Sequence, residues 1–242
     1  MNATSTKLKY EVCENKKTGL PVIIVAAGSS SRMQGIDKMF LEVAGVPVIA
    51  RTLSAFERSP DISKIILVTR EESVNKMQLI AEKYMITKLS DIVTGADTRH
   101  GSVIRGLERL AAEEDKALVS DGARMFVTPR MISDCAQALA VHDGCLCAVK
   151  VSDTVKKVEN GKVAATLDRS PLYLAQTPQG ITVSLYRKAA AESDAADFTD
   201  DAAVLEAGGY DVIVVDGDLT NIKITTPQDI ALAEAYLRRG NL

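Results

Sequence analysis

The stretch from Val22 to Ala27 is an unbroken run of apolar residues that ends at Gly28 in a loop of small polar residues. Because apolar and polar residues do not alternate in this run, it predicts a β-strand buried on both faces. Such a strand belongs in the interior of a parallel sheet. We therefore expect an α/β fold with a mostly parallel sheet.

Strand and helix patterns alternate along the rest of the chain. In the first half, the predicted elements are strands at 22–27, 64–69, 91–93 and 116–120 and helices at 48–58, 72–84 and from the Thr98 region to about 113. In the second half they are strands at 144–151, 172–177, 210–215 and 221–225 and helices at 128–141, 183–191, 198–206 (capped by Thr199) and from Pro227. The β-α-β-α order predicts right-handed crossovers between parallel strands.

A hairpin signal interrupts this alternation. Apolar and polar residues alternate through 152–169, and Asn160–Gly161 lies between the two alternating runs. Asn-Gly in this setting favours a tight β-turn. We expect a protruding β-hairpin arm at about 152–172. A hairpin that projects from an α/β body can embrace a second copy, so we also expect a homodimer.

Size and composition narrow the class of protein. The chain has 242 residues, which suits an N-terminal extension over 1–20 and a single domain over 21–242. The net charge of −3 and the mixed signs along the chain argue against a nucleic-acid or membrane surface. No apolar run reaches the length of a membrane span, and 1–17 has no signal-peptide core. We expect a cytoplasmic protein.

The four cysteines do not predict a metal site. No pair has C-x-x-C spacing. Cys145 and Cys147 alternate along an apolar strand, and we interpret them as small core residues.

The loop after Gly28 is the first candidate site. It carries three serines and is followed by Arg32 and Lys38, so that backbone N–H groups and two cations can approach an anion. Neither the P-loop pattern nor the dinucleotide fingerprint is present. A Ser-rich surface turn is the alternative. The position after a buried strand, where open α/β sheets bind ligands, favours a phosphate-binding loop.

A second candidate lies at the helix start in 94–103. Its first N–H groups and Ser102 could contact an anion or a base. The alternative is that Asp97 or Thr98 only caps the helix. We interpret His100 as a solvated residue of the first turn rather than a catalyst.

Two charged residues follow predicted strands. Asp121 comes directly after the strand 116–120 and is suitably placed to hold a divalent metal; the alternative is a turn former beside Gly122. Lys223 lies between Ile222 and Ile224 on a predicted strand. It is either a solvated strand residue or an anchor for the substrate.

The ordered set of motifs resembles one known family. The motifs run from 22 to 237 and are Ala26–Met33 with Lys38, Asp121–Arg124, Asp153–Thr154, Thr166–Arg169, Gln176–Gln179, Thr199–Asp201 and Asn221–Thr225. Their order is similar to that of 2-C-methyl-D-erythritol 4-phosphate cytidylyltransferases. The resemblance implies a Rossmann-like nucleotidyltransferase fold and a homodimer joined by a β-arm; the charge pattern predicts no nucleic-acid or membrane partner.

The resemblance also implies a reaction and a set of site residues. CTP and 2-C-methyl-D-erythritol 4-phosphate would give 4-diphosphocytidyl-2-C-methyl-D-erythritol and pyrophosphate, with Mg²⁺ at Asp121. The catalytic cations would be Arg32 and Lys38. The nucleotide would contact Ala26, Ala27, Gly28, Ser29, Ser30, Ser31, Gly95, Ala96, Asp97, Ser102, Asp121 and Gly122. The polyol phosphate would contact Asp153, Thr154, Arg169, Thr199 and Lys223, with Arg169 supplied by the partner subunit.

The sequence departs from the family pattern at Ser30, at Ser120–Met125 and at Thr220, where a second glycine, His-Asp-Ala-Ala-Arg-Pro and an aspartate are more usual. Two alternatives therefore stay open. One is a ribitol 5-phosphate cytidylyltransferase, and the other is a non-catalytic nucleotide-binding module. An NAD-dependent oxidoreductase is disfavoured because the dinucleotide fingerprint is missing.

Overall fold

The computed structural model describes residues 19–28, 37–193 and 198–240. The strands are β1 (Leu20–Val25), β2 (Glu42–Val43), β3 (Val46–Pro47), β4 (Ile62–Thr69), β5 (Leu89–Thr94), β6 (Lys116–Asp121), β7 (Gly144–Lys150), β8 (Lys156–Glu159), β9 (Lys162–Thr166), β10 (Tyr173–Thr182) and β11 (Val212–Asp216). The helices are α1 (Val48–Glu57), α2 (Val74–Lys83), α3 (Arg99–Leu107), α4 (Pro129–Val141), α5 (Val183–Glu192), α6 (Asp201–Ala207) and α7 (Pro227–Arg238).

One seven-stranded sheet, in the order β11-β7-β10-β6-β1-β4-β5, forms the body. β1 pairs in parallel with β4 and β6, whereas β10 is antiparallel to both β6 and β7. The prediction of a mostly parallel sheet is confirmed. The carboxyl ends of β1, β4, β5 and β6 therefore meet at one edge.

Helices cover both faces of the sheet, as the apolar β1 run predicts. Val22 and Ile24 of β1 are fully buried in the core that also contains α1, α2 and α4. Ile23 faces the opposite core, which contains α3, α5 and α6. Burial on alternate faces explains why the strand carries no polar position.

Side-chain caps begin several of the described helices, α4 and α7 among them. Thr128 Oγ1 accepts the Met131 N–H at 3.2 Å, and Pro129 follows at a position where its missing N–H costs nothing. At the start of α7, the Asp229 carboxylate accepts the Thr226 N–H at 2.8 Å. This contact fixes the end of the segment 221–225, which precedes the helix.

Two strand predictions are wrong. The predicted short strand 172–177 is part of the ten-residue β10, which continues past Pro178 with a shift in pairing between Ala175 and Gln179. The segment 221–225 is extended but belongs to no sheet. Its Ile224 N–H donates to the Ala123 carbonyl at 2.9 Å, so a loop contact replaces the expected ladder.

Three predicted helices also differ in their bounds. α3 ends at Leu107 rather than near 113. A 3-10 turn at Glu71–Ser73 precedes α2. α6 begins at Asp201, where Asp200 rather than Thr199 is the cap, because the Asp200 carboxylate accepts the Ala203 N–H at 3.0 Å.

The hairpin is present as β8 and β9. Asn160 and Gly161 have φ values of 50° and 76°, which is the left-handed pair that a tight hairpin turn requires. Val158 and Val163 on its strands are 56% and 63% exposed. Among the described helices, none combines the length and the apolar character that crossing a bilayer requires.

Candidate active site

A cavity of about 590 Å³ opens at the carboxyl edge of the sheet. It is lined by the ends of β1, β4, β5 and β6 together with the start of α3 and part of the segment 221–225. This volume lies in the range that holds a nucleotide-sized ligand. Ala27 and Gly28, at the start of the first candidate loop, and the second candidate loop therefore line the same space.

Asp121 is held by three cations. Its Oδ2 lies 2.9 Å from Lys223 Nζ and 3.4 Å from Arg124 Nε, and its Oδ1 lies 3.4 Å from Arg99 Nε. Burial alone would raise the pKa of this carboxyl, but the charges of Lys223, Arg99 and Arg124 outweigh it and lower the pKa to about 2. Asp121 is therefore ionised at neutral pH.

Arg99 connects Asp121 to a second carboxylate. Its Nη2 donates to Asp201 Oδ2 at 2.7 Å, and the Asp201 side chain is 1% exposed. Burial would lower the pKa of Arg99, but the two carboxylates raise it above its ordinary value. The guanidinium is a permanent charge at the wall of the cavity.

Arg124 positions the segment that carries Lys223. Its Nη1 donates to the Asn221 carbonyl at 2.7 Å, while the fully buried Asn221 side chain donates to the Thr177 carbonyl at 2.9 Å. These two contacts anchor the extended segment against β6 and β10. Lys223 consequently points at Asp121 although it lies on no strand.

Lys38 begins a 3-10 turn, Lys38–Phe40, and lines the cavity. Asp37 fixes this turn, because its Oδ1 accepts the Met39 N–H at 3.0 Å. The other oxygen of Asp37 accepts Nη2 of Arg70 at 2.5 Å, and Arg70 also lines the cavity. One carboxylate thus orients the Lys38 turn and the cation that follows β4.

The loop between β5 and α3 is braced by Ser102. Its hydroxyl accepts the Ala96 N–H at 3.0 Å and donates to the Thr98 carbonyl at 2.9 Å. A Cβ on Gly95 would lie 2.6 Å from the Ala27 Cβ, so only glycine allows the two loops to approach this closely. The Thr98 hydroxyl caps α3 by accepting the Gly101 N–H. The alternative that Asp97 or Thr98 caps this helix is therefore confirmed for Thr98.

Most of the predicted nucleotide residues lie together. Of the residues expected to bind substrates or catalyse transfer, the cavity is lined by Ala27, Gly28, Lys38, Gly95, Ala96, Asp97, Ser102, Asp121 and Lys223. Ala26 and Gly122 do not line it; both are buried, and a Cβ on Gly122 would lie 3.1 Å from that of Ala26. Ser29, Ser30, Ser31 and Arg32 lie outside the described residues.

The remaining predicted acceptor residues do not line the cavity of this chain. Asp153, Thr154 and Arg169 lie on exposed segments that flank the hairpin, and the Arg169 guanidinium donates to the Ser152 carbonyl. Thr199 is exposed before α6. A single chain therefore brings together the nucleotide residues and Lys223 but not the rest of the acceptor set.

The donor set around Asp121 fits a metal only in part. Among residues 19–28, 37–193 and 198–240, no group of three or more metal-ligating carboxylates, thiols and imidazoles occurs. Mg²⁺ commonly takes one or two carboxylates together with substrate phosphates. Asp121 fits such a site as the single protein carboxylate, with phosphate oxygens as the other ligands.

Sequence reasoning missed several residues of this site. Arg70, Arg99 and Thr225 line the cavity, and Arg124 and Asp201 hold residues that do. Arg124 was visible in the Asp121–Arg124 motif, and Arg99 at the predicted helix start, but neither received a role. The expectation of a solvated His100 is wrong, because Nδ1 of His100 lies 2.9 Å from the Tyr186 hydroxyl.

Comparison with known proteins decides the family. The model of the 2-C-methyl-D-erythritol 4-phosphate cytidylyltransferase family matches residues 20–239. The chain belongs to this family. The family resemblance of the sequence is confirmed, and with it the expectation of a CTP-dependent nucleotidyltransferase; no comparison favours ribitol 5-phosphate or a non-catalytic module.

Individual relatives are similar over nearly the whole chain. A 2-C-methyl-D-erythritol 4-phosphate cytidylyltransferase of Bacillus cereus is 42% identical over 220 residues, which cover 90% of this chain and 97% of the relative. A bifunctional IspD/IspF enzyme of Desulfotalea psychrophila is 41% identical over 218 residues, 90% of this chain, and the chain spans 56% of that enzyme's length.

Solved structures confirm the fold. The 4-diphosphocytidyl-2C-methyl-D-erythritol synthase of Anaerococcus prevotii has a TM-score of 0.80 at 34% identity and covers 92% of this chain and 97% of its own. The 2-C-methyl-D-erythritol 4-phosphate cytidylyltransferase of Thermus thermophilus has a TM-score of 0.75 at 30% identity. The match covers 91% of this chain and 100% of the Thermus chain. The prediction of a Rossmann-like nucleotidyltransferase fold is therefore confirmed, because solved members of the family share the fold of this chain.

Proposed function

We propose that this protein joins CTP to 2-C-methyl-D-erythritol 4-phosphate and releases pyrophosphate. The observation that carries the proposal is the cavity that Lys38, Asp121 and the start of α3 line together, in which Arg99 and Lys223 pair with Asp121. The cations suit a triphosphate and a phosphate monoester. Family membership supplies the identity of the two substrates.

In the proposed reaction an oxygen of the acceptor phosphate attacks the α-phosphorus of CTP, and the bond from that phosphorus to the β-phosphate oxygen breaks. The attacking oxygen is already ionised at neutral pH, so no general base is required. Negative charge accumulates on the oxygens of the α-phosphorus and on the leaving pyrophosphate. Fixed cations that face this charge lower the barrier, because they need no reorganisation during the reaction.

Two cations are proposed to face this charge, Lys38 and Arg32. Asp37 fixes the 3-10 turn that carries Lys38, whereas Arg32 lies outside the described residues. Lys223 is proposed to bind the acceptor phosphate at the Asp121 side of the cavity. Mg²⁺, held by Asp121 and phosphate oxygens, would supply further charge compensation for the triphosphate.

A homodimer completes the proposed acceptor site. Val158, Val163 and Leu174, on the hairpin and on β10 beside it, are 56%, 63% and 58% exposed in the single chain. Val158 pairs with Val163 across the hairpin, and an exposed apolar pair of this kind is typical of a protein interface. We assign a second copy of the chain to this surface, with Arg169 entering the partner's cavity together with Asp153 and Thr154.

A cytoplasmic location is part of the proposal. Cys135 and Cys147 carry free thiols whose sulfurs lie 3.4 Å apart in the core. Two thiols this close together without a disulfide suit a reducing compartment, which supports the proposal.

The experiment is a pyrophosphate-release assay with each of CTP, ATP, GTP and UTP against 2-C-methyl-D-erythritol 4-phosphate and ribitol 5-phosphate. We expect turnover with CTP and the methylerythritol phosphate. A preference of about tenfold or more for ribitol 5-phosphate, equivalent to about 1.4 kcal/mol, would replace the acceptor in the proposal. If calorimetry shows CTP binding but neither acceptor yields pyrophosphate, the protein is a non-catalytic nucleotide-binding module and the proposed activity is wrong.

A further inference from the structure

Asp201 carries a buried carboxylate that has no part in the reaction proposed above. It begins α6, its side chain is 1% exposed, and it does not line the cavity. A buried carboxylate is costly unless it is paired, so its partners indicate its purpose. The carboxylate is paired with residues of α3 and α5, and the backbone N–H of Asp201 with a residue of β10.

Two of these elements fix Asp201 in place. Gln179 of β10 accepts the N–H groups of Asp201 and Ala202 on its side-chain oxygen, each at 2.9 Å. The hydroxyl of Tyr186, on α5, donates to Asp201 Oδ1 at 3.2 Å. Burial raises the pKa of this phenol above its ordinary value, so it remains a donor at neutral pH. The carboxylate therefore has a fixed position and direction.

The third partner is Arg99, whose guanidinium faces both carboxylates. Its Nη2 lies 2.7 Å from Asp201 Oδ2, whereas its Nε lies 3.4 Å from Asp121 Oδ1. The shorter contact is the stronger one, so Asp201 determines where the guanidinium lies. Arg99 is also the first residue of α3 and directly follows the cap Thr98. Holding Arg99 therefore also fixes the end of the nucleotide loop.

We propose that Asp201 is a positioning residue for cytidylyl transfer, which holds Arg99 so that this cation meets Asp121 and the nucleotide phosphates in one geometry. The role rests on the function proposed above. Asp201 touches neither substrate in this scheme and acts through Arg99.

Charge counting predicts a specific kinetic signature. Arg99, Arg124 and Lys223 face Asp121 and Asp201, so this cluster carries one net positive charge. Asp201→Asn raises that charge by one and leaves Arg99 free to shift towards Asp121. Attraction for the triphosphate is then not reduced, whereas the alignment needed in the transition state is lost. We expect the KM for CTP to stay within about twofold and kcat to fall about tenfold, the effect typical of losing one charged hydrogen bond.

The test measures kcat and both KM values for Asp201→Asn, Arg99→Gln and the double variant, using the full chain with CTP and 2-C-methyl-D-erythritol 4-phosphate. If Asp201 acts through Arg99, the double variant is no slower than Arg99→Gln alone. Asp134→Asn is the matched control. It removes the carboxylate of a surface pair, whose Oδ2 lies 3.1 Å from Arg130 Nη1, and Asp134 does not line the cavity, so we expect unchanged kcat.

Several outcomes would overturn the inference. One is a folded Asp201→Asn variant, with kcat within twofold of the wild type and only a lower melting temperature, since this is what a purely structural role predicts. Another is that the losses of the two single variants multiply in the double variant. If Asp201→Asn does not fold, Tyr186→Phe replaces it. That variant keeps the charge but removes one donor, and its kcat should fall about threefold to fivefold, whereas an unchanged value would contradict the role.

The same assay separates this inference from the function on which it rests. A wild-type protein that forms no pyrophosphate from CTP and the acceptor shows that the proposed function is wrong, and the role of Asp201 falls with it. An active wild type combined with an unaffected Asp201→Asn variant overturns only the role of Asp201.

Discussion

The ammonium nitrogen of Lys223 lies 2.9 Å from Oδ2 of Asp121, and the two side chains are 37% and 9% exposed. The contact joins an extended segment near the carboxyl end of the chain to the last residue of a central strand. The carboxylate is shielded and the cation is open to the cavity. Lys223 can therefore contact an incoming phosphate while it remains oriented by Asp121.

Lys223→Gln tests this arrangement. Because a charged hydrogen bond contributes about 1.5–3 kcal/mol, we expect the KM for the acceptor phosphate to rise about tenfold or more. The KM for CTP should change far less, since Lys38 and Arg99 remain. Steady-state kinetics with each substrate varied in turn provide the measurement.

Lys64→Gln is the control for that variant. Lys64 forms an ion pair with Glu114 at 2.7 Å and does not line the cavity. Its kinetics should match the wild type. An acceptor KM that is unchanged in Lys223→Gln, or raised equally in the control, would show that Lys223 does not bind the acceptor.

Acid stability provides a second test, because Asp121 has a pKa of about 2 in place of its ordinary 3.8. A lowered pKa means that the unfolded chain binds this proton more readily. The contribution to stability, about 2 kcal/mol, is complete above pH 4 and is lost as the pH falls towards 2. The difference in free energy of unfolding between wild type and Asp121→Asn should therefore shrink between pH 5 and pH 3.

Urea denaturation at the two pH values measures that difference. Glu42→Gln, which alters an exposed carboxylate on β2, is the control and should show no comparable change. A gap between wild type and Asp121→Asn that stays constant down to pH 3 would mean that the three cations do not hold Asp121 ionised.

Mixed dimers test whether Arg169 acts across the proposed interface. Lys38→Ala and Arg169→Ala should each be nearly inactive alone. When their subunits are combined, one site of each heterodimer regains both side chains, so activity should recover to about a quarter of the wild-type value in a random mixture. The assay is pyrophosphate release after the two proteins have been unfolded together and refolded.

Refolding the two variants separately and then mixing them briefly is the control, and little activity should return. No recovery in the co-refolded mixture would place Arg169 and Lys38 in the same subunit's site. A monomeric mass for the wild type in light scattering would exclude the interface altogether.

Much of the fold was accessible from local patterns. The apolar run of β1 predicted a doubly covered strand, because burial on two faces removes polar positions. Asn160–Gly161 predicted the hairpin turn, because its residues adopt the required backbone. Both signals depend on neighbours in sequence.

The errors arose where tertiary contacts override local signals. The predicted strand 172–177 stops before Pro178, yet β10 continues because its pairing shifts between Ala175 and Gln179. The alternating run 221–225 resembles a strand, yet its contacts go to the β6 loop and to Thr177. The pairing of Arg99 with Asp201 spans 102 positions, and no local pattern brings these two residues together.

The catalytic role of Lys38 is tested most directly by Lys38→Ala, measured as single-turnover pyrophosphate release beside CTP affinity from calorimetry. We predict that the rate of the chemical step falls about 10²–10³-fold, while the Kd for CTP changes much less and circular dichroism shows the native fold. Lys188→Ala, which alters an exposed lysine of α5, should match the wild type. A folded Lys38→Ala variant with a near-normal rate would contradict transfer by fixed cations at this edge of the sheet.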